Sequence, residues 1–144
     1  MKPQTGAFLD KARELLDQAD TMMGVGLNEP AARTAYLAAL HAAQALVFEN
    51  ISKVVTSHKG VQSEFWHLTK DEPRVADELR AFLSRAYSLK RIADYETGPG
   101  SHISAETARN AIATAHRFVD CVATLIPPNG HTPHPSDTPK PISL

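Results

Sequence analysis

A chain of 144 residues has the length of one domain, and 42% hydrophobic with 22% charged residues excludes a globally disordered polymer. Fifteen Lys and Arg against sixteen Asp and Glu give a net charge of −1, which excludes a uniformly basic nucleic-acid coat but allows a local basic patch. A single cysteine, Cys121, excludes an intrachain disulfide framework and a Cys-rich zinc site. No apolar run approaches the roughly 20 residues of a membrane helix, and Met1 to Thr5 carries no apolar secretory segment. The expectation is a soluble cytoplasmic protein without metal or cofactor.

Glycine and proline divide the chain into segments of helical period. In the first, Phe8, Ala12, Leu15, Leu16, Ala19, Met22 and Met23 fall on one face. Thr5 is placed to cap this helix, and Gly24 with Gly26 to end it. The second helix, about 29–53, is predicted to start at an Asn28 cap with Pro30 in its first turn, where a missing N–H costs nothing. Tyr36, Ala39, Leu40, Ala43, Leu46, Val47 and Ile51 form its apolar stripe. Its other faces hold Ala31, Ala32, Ala35, Ala38, Ala42 and Ala45, so neighbours can approach from several sides and the helix reads as central.

After a loop, Val54 to Gly60, a shorter helix is expected over about 61–70 with Val61, Phe65, Trp66 and Leu68. Asp71 and Pro73 then predict the start of a long helix whose stripe is Val75, Leu79, Phe82, Leu83, Ala86, Leu89 and Ala93, ending near Glu96 before Thr97-Gly98-Pro99-Gly100. The last helix is expected to start at a Ser104 cap, with Glu106 in its first turn, and to run through Ala108, Ile112, Ala115, Phe118 or Val119, Val122, Leu125 and Ile126. No segment alternates with the period of a strand. Five helices on short connections predict an all-α, antiparallel up-and-down bundle over residues 1–126. Residues 127–144 hold six of the ten prolines and almost no apolar side chain, which predicts a disordered Pro-rich tail. His131 and His134 within it are read as part of a solvated linker.

Three patches stand out. The second helix contains Arg33-Thr34-Ala35-Tyr36 and runs on to Leu46. The loop reads Ser57-His58-Lys59-Gly60-Val61, and the long helix ends Arg91-Ile92-Ala93-Asp94-Tyr95. In this order, over about residues 5–126, they resemble the HEPN family of small prokaryotic helical bundles, and in particular its branch with an Arg-x-x-Ala-Asp-Tyr signature. The resemblance implies a helical bundle that forms a homodimer. It also implies kinship with metal-independent ribonucleases of toxin–antitoxin pairs, and a nucleotidyltransferase-type partner. Family nucleases carry an Arg and a His separated by four to six residues, with two such sites meeting across the dimer.

The sequence departs from that nuclease pattern. Arg91 takes the arginine position, but the next histidine is His102, eleven residues on. Attack by a ribose 2′-hydroxyl needs a base whose pKa lies near the working pH, usually His. Arg91 supplies the other requirement, a bidentate clamp for phosphate. Arg91, Asp94 and Tyr95 are therefore the leading candidate site, either as a phosphate-receiving cleft at the dimer seam or as a helix-end ion pair between Arg91 and Asp94. Lys90, His58, Lys59, Arg33 and Tyr36 are candidates to line it. An arginine on so alanine-rich a helix needs a partner, and Asp94 is one acid that could join Arg33 across two helices.

Arg109 and His116 match the nuclease spacing literally, but they lie mid-helix on a polar stripe with Asp120. His41 reads as a hydrogen-bonded histidine inside the bundle, Phe65 and Trp66 as core or dimer contacts, and Cys121 as a buried thiol. The resulting expectation is a binding module for RNA or a nucleotide phosphate. The alternatives are an endoribonuclease in which Asp94, Tyr95 or His102 replaces the usual base, and a purely structural dimer.

Overall fold

Alanine on every side of one helix sets the architecture. The computed structural model describes residues 1–95 and 102–128, and within these the chain forms only helices and turns. They are α1 (Pro3–Gly24), α2 (Asn28–Ile51), α3 (His58–Thr69), α4 (Asp77–Arg80), α5 (Phe82–Tyr95) and α6 (Ala105–Leu125). α2 packs against α1, α3, α5 and α6. Ala31, Ala32, Ala35, Ala38, Ala39, Ala42, Ala43 and Ala45 are all buried, as the sequence reading of a central helix requires. Among the described residues no helix is long and apolar enough to cross a membrane.

Polar links fix the directions. Thr5 near the start of α1 donates to Glu49 near the end of α2, so these helices run antiparallel. Arg13 and His116 tie α1 to α6 in opposite order, through Asp120 and Asp20 respectively. Glu29 at the start of α2 accepts from the Ile103 N–H just before α6, so α2 and α6 run in parallel. Around α2 the larger side chains close the core. Phe65 of α3 and Phe82 of α5 both meet Phe118 of α6, at centroid separations of 5.0 and 6.0 Å. Such offset aromatic contacts add to what burial of the rings already contributes.

Local signals were overridden in four places. Thr5 does not cap α1; it lies inside the helix, buried, with its hydroxyl on Glu49. Asn28 is the first residue of α2 rather than its cap, and among the described residues its Oδ1 is buried without a partner. The second helix stops at Ile51, where Ser52 turns into the left-handed region at φ 57. The third starts earlier than expected, at His58, because Ser57 accepts from the Gly60 N–H and caps it.

Among the described residues the expected bundle of about five helices comprises six, the long helix expected after Pro73 being divided into α4 and α5. Residues 71–76 form turns instead of opening a helix. Glu72 takes both the backbone N–H and the guanidinium of Arg74. Arg74 is the main reason the Glu72 carboxyl titrates at about 2. The chain then makes the single turn α4 and breaks at Ala81, with Arg80 folded back onto the Thr69 carbonyl and Asp77. The Ser104 cap of α6 is as expected, accepting from the Thr107 N–H. The Thr97–Gly100 helix end, and the tail from residue 129 with His131 and His134, lie outside the described residues.

Overpacking tests the alanine wall. Ala39→Leu, at a site with no exposed surface, is expected to cost about 1–3 kcal/mol in urea unfolding. Leucine at exposed Ala113 should change stability by less than about 0.5 kcal/mol.

Candidate functional site

Antiparallel packing of α2 on α5 brings Arg33 opposite Asp94. The Arg33 Nε donates to one carboxylate oxygen of Asp94 at 2.8 Å, and the Lys90 Nζ reaches the other at 2.7 Å. Lys90 and Asp94 are one turn apart on α5, the favourable spacing for a helical ion pair. The Asp94 and Lys90 side chains keep only 18% and 12% of their surface, while Arg33 keeps 44%. Arg33 spends only its Nε here; no other described residue accepts from its terminal nitrogens. Lys90 also lies over the exposed Tyr95 ring, 5.3 Å from its centroid.

One turn further along α2, Tyr36 is fully buried and shares a 2.5 Å hydrogen bond with His58 Nδ1 at the start of α3. Tyr87 of α5, one turn before Lys90, completes this group. Its ring centroid lies 4.9 Å from that of His58 and 5.7 Å from that of Tyr36. Gly60 is dictated by the same corner. A Cβ there would stand 2.6 Å from Ser57 Oγ and 3.0 Å from a Val55 methyl, so a side chain would push the capping hydroxyl off the helix end.

The electrostatics follow from this packing. Lys90, then Arg33, holds the Asp94 carboxyl below the usual carboxylate range despite partial burial, and Asp94 in turn raises Lys90. Burial, with Tyr87 beside it, pushes the Tyr36 phenol far up, so it keeps its proton. Burial and then the charge of Lys90 pull His58 below its ordinary 6.5, so the imidazole is neutral at pH 7. The corner thus holds a neutral imidazole beside fixed cations.

The structure joins Arg33, Tyr36, His58, Lys90 and Asp94 into one continuous band. Tyr87 is the member that sequence reading missed; its spacing of three before Lys90 was the available signal. The helix-end pair expected between Arg91 and Asp94 is replaced by Arg33 and Lys90 as the partners of Asp94. Arg91 and Tyr95 are exposed on α5. Lys59 sits outside this band, in a groove between α3 and α5. His102 pairs with Glu29 at the start of α2.

Arg109 is exposed, while His116 is engaged by Asp20 of α1 at 3.0 Å, so the literal nuclease spacing on α6 is divided between solvent and an interhelical ion pair. His41 is hydrogen-bonded as expected, to Gln44, which donates to the Val55 carbonyl. Cys121 is half-buried rather than enclosed; its thiol lies 3.5 Å from the Arg74 carbonyl, and burial raises its pKa. Phe65 is core, but Trp66 is half exposed. No group of three or more His, Cys, Asp or Glu among the described residues could hold a metal ion.

A bundle of this topology, with the arginine-bearing second helix, the Ser-His-Lys-Gly corner and the Arg-x-x-Ala-Asp-Tyr end gathered on one side, defines a class of small helical proteins. The HEPN domain family model matches residues 5–125, and the chain belongs to that family. It is 30% identical over 109 residues to a UPF0332 protein of Archaeoglobus fulgidus, covering 76% of this chain and 84% of the relative. Its fold is similar to the crystal structure of TT1696 from Thermus thermophilus, with a TM-score of 0.73 and 21% identity over 85% of this chain and 98% of the other.

The depressed histidine gives a pH signature. Unfolded His58 binds a proton below about 6.5 and the folded chain resists it, so stability is complete above that pH and falls as pH drops toward the folded pKa. His41, lowered mainly by burial, acts in the same sense. Asp94, Glu29 and Glu49 lose their contributions only at lower pH, below the ordinary carboxylate range. The melting temperature should therefore fall between pH 7 and 5.5. By NMR titration, Lys90→Met should raise the His58 pKa toward 6.5.

Proposed function

We propose that this protein is a binding module that holds a phosphate of RNA or of a nucleotide on the α2–α5 band. The observation that carries this reading is the crowding of Arg33 and Lys90 onto one carboxylate, with exposed Arg91 the next residue along α5. Two cations share one anion at the end of a helix pair and are already held in place, and a third, Arg91, is exposed beside them in sequence. Ordered guanidinium and ammonium groups lose little freedom when an anion arrives. The chain as a whole has no cationic excess, so attraction to phosphate has to be local. The homodimer and the nucleotidyltransferase-type partner implied by the family resemblance belong to the same proposal. Size-exclusion chromatography of the pure protein tests the dimer, and co-purification with a neighbouring nucleotidyltransferase tests the partner.

Binding is tested by fluorescence anisotropy with a labelled 12-nucleotide single-stranded RNA, with ATP and inorganic phosphate as competitors. Arg91→Ala should weaken RNA binding about tenfold and reduce the salt slope by about 0.7 for the lost phosphate contact. Competition by ATP at equal affinity would identify a mononucleotide as the ligand. Binding unchanged in both Arg91→Ala and Arg33→Ala would leave these residues as ties within a structural dimer.

One observation supports the enzymatic reading. His58, neutral at pH 7 and oriented by Tyr36, has the character of a general base that the Arg91 helix lacks. Asp94, engaged by two cations and acidified by them, is poorly suited to that role. Metal-free cleavage of RNA that is lost in both His58→Ala and Arg91→Ala would establish the endoribonuclease; absence of cleavage by the wild-type protein would remove it.

A further inference from the structure

The break between α4 and α5 opens a groove against α3, of about 370 Å³, lined by Lys59, Gln62, Ser63, Trp66, Arg80 and Ser84. Its size lies within the range of small-ligand clefts. Lys59, Gln62, Ser63 and Trp66 recur at helical spacing, so they form one stripe of α3. Lys70, one turn beyond, lies over the Trp66 ring with its Nζ 5.4 Å from the ring. Arg80 is held at the floor by the Thr69 carbonyl and by Asp77, with only 13% of its side chain exposed. Trp66 keeps 51% of its surface even with Lys70 over its ring and His67 edge-on to it.

We infer that this groove is a subsite for an unstacked base of single-stranded RNA, with Trp66 as the stacking plane. The inference rests on the phosphate-binding reading above and names its substrate. An aromatic face beside cations, of which Arg80 is held in place, and a side-chain amide is the pattern that binds single strands through stacking and backbone charge. Continuity with the cation band supports it. Ser84, Ser88 and Arg91 lie at i, i+4 and i+7 of α5 and are all exposed, so one stripe runs from the groove to Arg91 over about 10 Å. Charge argues against a second copy of this chain as the occupant. The groove lining carries Lys59 and Arg80 and no acid, so an isologous contact here would bring cations against cations.

Trp66 is the chain's single tryptophan, so its emission reports on this groove alone. The full chain is titrated with an unlabelled 12-nucleotide single-stranded RNA while anisotropy of a labelled copy gives the affinity. Trp66 emission should be quenched to saturation at the same concentrations. Trp66→Ala should weaken binding about 5- to 100-fold, with Trp66→Phe retaining most of it and circular dichroism unchanged in both. An oligomer lacking bases should bind without quenching. If RNA binds in an Arg91-dependent way while Trp66 emission and the Trp66→Ala affinity stay unchanged, the base subsite is refuted and the phosphate site stands. If no RNA binds at all, the base subsite falls, and the phosphate site stands only if ATP or inorganic phosphate binds in an Arg91-dependent way. Emission that changes with protein concentration alone would assign the groove to a second copy and overturn the inference.

Discussion

Close approach to α2 is the constraint on which the rest of the structure depends. Interhelical distance is set by the side chains at the contact, and a helix walled by alanine lets several neighbours in at once. Because α5 can come near, an arginine of α2 reaches a carboxylate of α5 through Nε at 2.8 Å. Because α3 can come near as well, a phenol buried on α2 finds the imidazole at the first residue of α3. Larger residues along α2 would separate these pairs and leave a buried hydroxyl without its partner, a costly outcome in a low-dielectric interior. The polar corner is thus a product of the packing, and its geometry is as well defined as the alanine wall.

Within that corner the charges are unevenly satisfied. Asp94 serves two cations, and its acidity reflects both. His58 experiences the opposite influence, since burial and a nearby ammonium both oppose its protonation. Positive charge is therefore concentrated in the groups that cannot lose it, Arg and Lys, while the group that can is kept neutral. Such a division suits recognition of an anion at neutral pH.

Much of this was legible from the residues. Period 3.6 located the long helices, and alanine on all faces marked α2 as central before any contact was known. The Arg33–Asp94 tie was also within reach, because a cation on such a helix requires an acid. What escaped was decided by partners distant in sequence. A hydroxyl near a helix start looks like a cap, but Thr5 turned to Glu49, 44 residues away. A Pro73 preceded by Asp71 looks like a helix start, but Glu72 closed a tight turn on Arg74 instead. Tyr87 was hidden between the members of an apolar stripe, where an aromatic ring looks like ordinary core. Trp66 carried no local sign that a break at Ala81 would leave it open.

The glycine of the Ser-His-Lys-Gly corner has a different meaning from the one such loops invite. Glycine beside basic residues is commonly taken as room for a ligand's oxygen atoms. Here the missing side chain makes room for the protein's own serine, whose hydroxyl occupies the place a methyl group would need. The four-residue signature is accordingly a hinge pin: it fixes the direction in which the imidazole leaves the backbone, and any relative that keeps the serine has reason to keep the glycine whatever chemistry it performs.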